Sequence, residues 1–290
     1  TENRSKILRT RQSVPSFQGV SLGNIPKANI GKIDNRGYEI ELSYSKALNK
    51  DLSFIFKGNY GYNKNIIKFV DEPIRDETYA YRYRTTGYSK NSGLTYDFGS
   101  PRAGDFKYKD VNGDGAINDK DISPIGYSSK VPRTNYGLNL SVNYKDFDFS
   151  IFFQGVGKYS RQYSSQNVYE NIKEGTYYGY HKQAWTLERY QNGEKITYPA
   201  LSTQTTVNHV ANDFFIMDCS FIRLKNMEIG YTLPNRILKS IGISSLRVYL
   251  SGQNLITWDH MRADHLDPEK VDPIGYPITK MVNFGLNVNF

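Results

Sequence analysis

From Tyr38 onward the chain alternates apolar and polar residues almost one by one. Tyr38, Ile40, Leu42 and Tyr44 are separated by Glu39, Glu41 and Ser43. A repeat of two places each set on its own face of an extended backbone, so the stretch predicts a half-buried β-strand. The same alternation returns in Leu52-Phe54-Phe56-Gly58-Tyr60-Tyr62, in Tyr136-Leu138-Leu140-Val142-Tyr144, in Phe147-Phe149-Ile151-Phe153, in Leu246-Val248-Leu250 and in Val282-Phe284-Leu286-Val288-Phe290. A strand-like run from Phe221 to Leu233 slips phase near Lys225-Asn226, where one extra residue would make a β-bulge. The pattern predicts strands over 36–48, 51–63, 133–145, 147–157, 217–233, 245–258 and 279–290, with a further one ending near Thr10.

These strands exceed the roughly five or six residues usual in globular proteins. They suit the roughly 9–11 tilted residues that cross a bilayer. Aromatics cluster at their ends, as in the girdles of an outer-membrane barrel. The connections alternate in length. Residues 48–51 and 145–146 are tight turns, and 234–245 is moderate, with a short helix expected at Ile237–Ile241. Residues 13–34, 64–132, 159–213 and 259–277 are long. A soluble sandwich would have shorter strands and a turn every 8–12 residues or so. The predicted fold class is therefore all-β, an antiparallel transmembrane β-barrel segment with long loops on one side.

Composition narrows the function classes. One cysteine, Cys219, excludes an internal disulfide framework and a Cys-rich metal site, and in its apolar setting it reads as a buried, inert thiol. Mean hydropathy is −0.60, and no apolar run approaches the roughly 18 residues of a spanning helix. Alternating barrel strands average out in that measure, so it does not speak against a membrane location. Net charge is +8 from 37 basic and 29 acidic residues, scattered rather than concentrated, which argues against a nucleic-acid partner. The chain opens on Thr1-Glu2-Asn3-Arg4 without a signal sequence, and is expected to be an excerpt or a processed product.

One segment carries metal chemistry. Asp110, Asn112, Asp114, Ala116, Asn118 and Asp121 fall at positions 1, 3, 5, 7, 9 and 12 of a calcium loop, with Gly115 at the sharp turn. Five side-chain oxygen donors and the Ala116 carbonyl suit a hard cation and not zinc. Position 12 is Asp rather than the usual Glu, and no flanking helices are evident. The competing reading is an acidic turn held by Asx hydrogen bonds. Bound Ca²⁺ would have a structural job, cross-linking a long loop.

Tyr159, Tyr163, Tyr177, Tyr178 and Trp185 crowd the long loop after the fourth strand, and Tyr79, Tyr81, Tyr83 and Tyr88 crowd the one before the third. Rings with polar tips suit wet binding surfaces, so these are candidates for ligand or partner contact. His260 and His265, near Asp259, Asp264 and Asp267, read as a polar loop. His181 lacks a nucleophile elbow around the nearby serines, and Gly155-Val156-Gly157 lacks the Lys-Ser/Thr of a phosphate loop. No convergent catalytic set is visible, and an enzyme is not expected.

Several stretches resemble the SusC-like (RagA-like) TonB-dependent outer-membrane transporters of the Bacteroidetes, in order and over nearly the whole chain. They are NIGKIDNRGYEIEL (29–42), GDFKYKDVNGDGAINDKD (104–121), TNYGLNLSVNYKDFDFSIFFQGVG (134–157), SFIRLKNMEIGYTLP (220–234), LSGQNLITW (250–258) and NFGLNVNF (283–290). The resemblance implies that residues 1–290 are the C-terminal part of a roughly 22-stranded barrel, its last seven or eight strands. The N-terminal plug and the earlier strands would be absent. It implies active import of glycan oligosaccharides or oligopeptides, powered through the TonB complex by way of the missing N-terminal part. A SusD-like surface lipoprotein would act as a lid. The remainder of the barrel and outer-membrane lipid are the other implied partners. The C-terminus would be periplasmic and the long loops extracellular. Phe290 resembles the terminal aromatic read as an assembly signal, with a plain girdle aromatic as the alternative. The rival to the whole reading is a secreted, calcium-stabilised β-module that binds carbohydrate or a cell surface.

Overall fold

The computed structural model describes residues 2–9, 19, 24, 26–69, 95–122, 125–127, 131–164, 168–170, 177–238, 242–270, 276 and 278–290. The elements are β1 (Glu2–Arg9), β2 (Ala28–Ala47), β3 (Leu52–Phe69), β4 (Thr95–Tyr96), β5 (Ala116–Ile117), β6 (Thr134–Tyr144), β7 (Phe147–Gly157), β8 (Ser160–Gln162), α1 (Leu187–Gln191), β9 (Ile216–Asp218), β10 (Phe221–Thr232), α2 (Asn235–Leu238), β11 (Ser245–Asp259) and β12 (Met281–Asn289). Eight of them form one sheet in the order β1-β2-β3-β6-β7-β10-β11-β12, so the long strands neighbour one another in chain order. All the expected strands are present, including the one near Thr10. Two run further than their alternation suggests. Residues 28–35, inside an expected loop, pair antiparallel with β1, and β3 continues through Phe69. Ladder hydrogen bonds hold these extensions, not an amphipathic pattern. Asp34 adds an ion pair to Lys68 at 3.5 Å. The short helix starts at Asn235, two residues early, and residues 239–241 of the expected span lie outside the described set.

Two compact units make up the chain: 1–38 with 62–125 and 206–213, and 39–61 with 126–205 and 214–290. In the second unit the registers place every strand's apolar set on one face. Leu138, Leu140, Val142 and Tyr144 pair with Phe153, Ile151, Phe149 and Phe147. Ile151, Phe149 and Phe147 pair in turn with Met227, Ile229 and Tyr231. On the far side of β10, Ile229 and Tyr231 meet Leu250 and Val248, and those meet Phe284 and Leu286.

The phase slip in β10 is a bulge. Against β7, Leu224 pairs with Phe153 and Asn226 with Phe152, which leaves Lys225 without a counterpart. Against β11, Leu224 pairs with Ile256 but Asn226 with Gln253, so β11 carries an irregularity of its own, with Asn254 at φ 52. Asparagine tolerates that left-handed conformation better than most residues. The consequence is that Ile222 and Leu224 above the bulge share a face with Met227 and Ile229 below it. Without the extra residue, one half of the strand would turn its apolar side to the wrong face.

The long connections supply a core of their own. In the second unit, β8 pairs with β9 beside the buried residues Tyr163, Val168, Tyr169, Tyr198, Phe214, Phe215 and Cys219. In the first unit, Phe106, Tyr108, Ile117 and Val207 are buried. The Tyr108 hydroxyl donates to the Val207 carbonyl at 2.6 Å, and the amide of Asn208 donates to Asp105 at 2.8 Å.

Candidate functional site

The strand wall has two chemically different faces. The apolar one is exposed: Ile40, Leu42, Val282, Phe284 and Leu286 are each more than half open to solvent. Ring pairs mark both ends of this face in the strands, Tyr44 with Phe54 at 5.6 Å and Phe147 with Tyr231 at 4.5 Å near the tight turns, and Phe153 with Trp258 at 6.5 Å near the long loops. The other face presents Asn139, Ser141, Asn143, Ser150, Gln154, Ser251, Asn283 and Asn287. Two groups of charges are tied together on it. Arg247 on β11 reaches across Gly230 to both oxygens of Asp148 on β7, and donates to Glu228 at 2.6 Å. Tyr249 lies over Gly285, with the Arg247 guanidinium 5.0 Å from its ring centre. Sequence reading overlooked this group because each member looks like one more polar position on an alternating strand. The one local sign is Asp148, which stands opposite Gly230.

At the long-loop end, a second charged group ties loop to wall. Arg223 on β10 bonds Thr257, Asp267 and Glu269. Glu170, fully buried, accepts from the Tyr198 hydroxyl at 2.6 Å and the Ser202 amide at 3.1 Å.

The aromatic candidates are divided by this loop core. Tyr159 and Tyr163 are buried, Tyr159 against the Arg161 guanidinium and Tyr163 with its hydroxyl 3.6 Å from the Cys219 sulfur. Burial pushes that thiol up from its ordinary value. Trp185 is half-buried and donates its backbone N–H to Tyr198. Tyr178 stacks flat on His265, centres 3.9 Å apart, and Tyr177 is 52% exposed. Of these five rings, Tyr177 is the one mostly open to solvent, while Tyr178, like Trp185, is half-buried. Tyr79, Tyr81, Tyr83 and Tyr88 lie outside the described residues.

His181 pins the same turn. Its Nδ1 accepts from the Tyr178 amide at 2.9 Å, which leaves Nε2–H to donate to the Val168 carbonyl at 3.2 Å. Desolvation lowers its pKa from 6.5; the Val168 bond and Glu170 oppose this, and His265 adds to it. The neutral ring is thus the stabilising form. Its contribution is present above pH 6.5 and is lost as pH falls through the lowered folded value. Amide protection across 177–184, the exchange rate relative to that of an unstructured peptide at the same pH, is expected to fall on acidification in that range, and His181→Asn, which keeps the acceptor, should flatten the response. An unchanged pH dependence in the variant would count against the assignment.

The 110–121 loop is closed by its own backbone. Asp110 accepts from the amides of Gly113 (2.6 Å) and Gly115 (2.9 Å), Asn112 from Asp114, Asp114 from Ala116, and Asn118 from Lys120. The Ala116 and Asn112 bonds, helped by Lys120 and against slight desolvation, lower the Asp114 pKa. Asp121 is buried and bridges the amides of Val111 and Asn118. Gly113 and Gly115 sit at φ 80 and 82, where a side chain would be strained. Among the described residues, no three acidic, histidine or cysteine side chains converge as a metal site. Each carboxylate keeps lone pairs beyond those its N–H partners occupy.

Phe290 follows β12 and is 90% exposed, beyond Val288 and Leu286.

No family model matches the chain. It is 26% identical to TonB-dependent receptor P3 of Formosa agariphila over 322 residues, covering 96% of this chain and 30% of that protein. TonB-dependent receptor P26 of the same organism is 31% identical over 202 residues, 64% of this chain and 20% of the relative. TonB-dependent receptor SusC of Bacteroides thetaiotaomicron is 25% identical over 289 residues, 90% of this chain and 27% of SusC. Among solved structures, the RagAB peptide transporter superposes with a TM-score of 0.72 at 20% identity, covering 99% of this chain and 32% of the matched one. The chain spans about a third or less of the length of these relatives. It resembles the SusC- and RagA-like TonB-dependent transporters in sequence over most of its length, and its antiparallel strands have the fold of part of their β-barrel.

Proposed function

We propose that residues 1–290 form the C-terminal part of the barrel wall of a TonB-dependent outer-membrane importer. The plug and the earlier strands would belong to the rest of the protein. The apolar face meets lipid and the polar face lines the lumen. The tight turns lie on the periplasmic side and the long loops outside. The observation that carries this reading is the exposed apolar face, continuous in register from β6 to β12. Soluble monomers rarely expose apolar patches beyond a few hundred Å², while a barrel in lipid requires one. The named relatives are receptors and transporters, so the activity is translocation and not bond chemistry. The cargo class is glycan oligosaccharides or oligopeptides, and a SusD-like surface lipoprotein is the proposed partner at the loop end, where Tyr177 is presented. Labelling membranes that hold the full-length protein with a lipid-soluble carbene tests the topology. Label is expected on Ile40, Val282, Phe284 and Leu286 and not on Asn283 or Asn287; the reverse pattern, or release of the protein by salt without detergent, would refute it. Phe290 is the proposed assembly signal. Phe290→Asn is then expected to lower outer-membrane abundance while export continues, and Phe290→Tyr to be milder; equal abundance of all three forms would reject the role.

We also infer a structural Ca²⁺ in the 110–121 loop. Its support is the ligand chemistry of Asp110, Asn112, Asp114, Asn118 and Asp121 around two glycines at positive φ. Calcium would draw these oxygens inward and relieve the mutual repulsion of three carboxylates. Chelation is expected to speed proteolysis within 104–122, and Asp110→Ala with Asp114→Ala should mimic it. Cleavage that is the same with chelator and with excess calcium would leave the Asx-held turn as the answer.

A further inference from the structure

Arg223 stands on the polar face of the wall, opposite Gln154 on β7 and Thr257 on β11. Only 1% of its side chain is exposed. Nε donates to the Thr257 hydroxyl at 2.9 Å, Nη1 to Glu269 at 2.8 Å and Nη2 to Asp267 at 2.6 Å. Asp267 and Glu269 belong to the connection after β11, so this stretch of chain lies against the polar side of the sheet. The acids are pre-set for the fork. The other oxygen of Asp267 accepts the Glu269 amide at 2.9 Å, and the Lys270 amide closes the turn onto the Asp267 carbonyl at 3.0 Å. Lys225, the bulge residue, adds an ion pair to Glu269 at 3.1 Å. Arg161 on β8 donates to the Lys270 carbonyl. Pro268, between these anchors, is buried, as is Ala263 ahead of them.

We propose that residues 263–270 are a fixed constriction of the lumen at its long-loop end, and that Arg223 is the residue that positions it. This rests on the reading of the polar face as a lumen. A forked guanidinium matched to two carboxylates is a directional, charge-assisted contact that Lys does not reproduce. Lifting the segment would leave Arg223 buried without a counter-charge, and removing one partner of a buried ion group is costly. The segment therefore narrows the passage permanently rather than swinging in and out with each transport cycle, and it limits the size of solute that reaches the wall below it.

The test uses the full-length protein in outer membranes, with Ser150→Cys, on the polar face toward the tight turn from Arg223, as a reporter and maleimides carrying polymers of graded size added from outside. The parent is expected to admit only small reagents. Arg223→Ala should raise the size cutoff and speed amide exchange in 263–270 on the order of ten-fold. Arg223→Lys should fall between the two. If Arg223→Ala does not assemble, Asp267→Asn with Glu269→Gln releases the same tether from the loop side. A cutoff unmoved by every assembled variant, including no reaction in any of them, overturns the constriction, as does fast exchange of 263–270 in the parent. Carbene labelling of Val282 and Phe284 in the same membranes separates the two levels. Unlabelled residues sink the membrane reading, whereas labelled residues with an unmoved cutoff sink only the constriction.

Discussion

Phe149→Arg is expected to block assembly of the wall, while Ser150→Arg, one residue along, is expected to be tolerated. Phe149 pairs with Val142 on β6 and Ile229 on β10, in the middle of the apolar face. A guanidinium placed at the midplane of a lipid-facing barrel strand costs about 2–4 kcal/mol. That is a large share of a typical stability margin of roughly 5–15 kcal/mol. Ser150 pairs with Ser141 and Glu228 on the other face, where an added cation finds water and a neighbouring acid. Leu140→Arg and Asn139→Arg should repeat the contrast on β6. The measurement is the fraction of heat-modifiable, folded protein in outer membranes. Equal damage from both members of either pair would mean that the two faces are not lipid and lumen.

The second large effect is expected at Gly230. A Cβ there would lie 2.6 Å from both Cζ and Nε of Arg247, well inside contact distance. Even Gly230→Ala must push the guanidinium away from Asp148 and Glu228. The guanidinium is the far end of a flexible side chain and can give way, so the steric part lies at the low end of the roughly 1–3 kcal/mol that overpacking costs. The loss of the ion pairs adds less, because the two acids are about a third exposed, at 33% and 36%, and water screens them. The steric origin gives a specific signature. In an Arg247→Ala background the extra cost of Gly230→Ala should vanish, a coupling above about 0.5 kcal/mol in a double-mutant cycle. Urea unfolding of the four proteins measures it. Additive losses would show that Arg247 is not what the glycine makes room for.

What the sequence made legible, and what it concealed, divides along a physical line. Strand positions and facing follow from a repeat of two, which is local. Thus β6, β7, β11 and β12 come within a residue or two of their expected bounds, and the slip at Lys225-Asn226 is visible as broken alternation. The 28–35 extension of β2 was concealed because its order comes from a neighbouring strand's amides and carbonyls, and that signal carries no side-chain pattern. The loop core was half legible. The wealth of tyrosine was plain, but whether a ring is exposed, like Tyr177, or buried, like Tyr163, depends on contacts with residues about fifty positions away, such as Cys219. The Arg223 group was hidden for the same reason: 44 and 46 residues separate it from its two acids.

The unpaired Lys225 and its companion irregularity at Asn254 act as a phase shifter. In an uninterrupted strand, one inserted or deleted residue inverts the facing of everything to one side of it. Here the one extra residue that sets the facing of the two halves of β10 sits at a known point. Removing Lys225 should flip Ile222 and Leu224 to the polar face and Arg223 to the apolar one, while Met227, Ile229 and Tyr231 keep their places. The tether to Asp267 and Glu269 would be lost in the same stroke. Conversely, the loop-proximal end of β10 and β11 can gain or lose residues in pairs without disturbing the turn-proximal end.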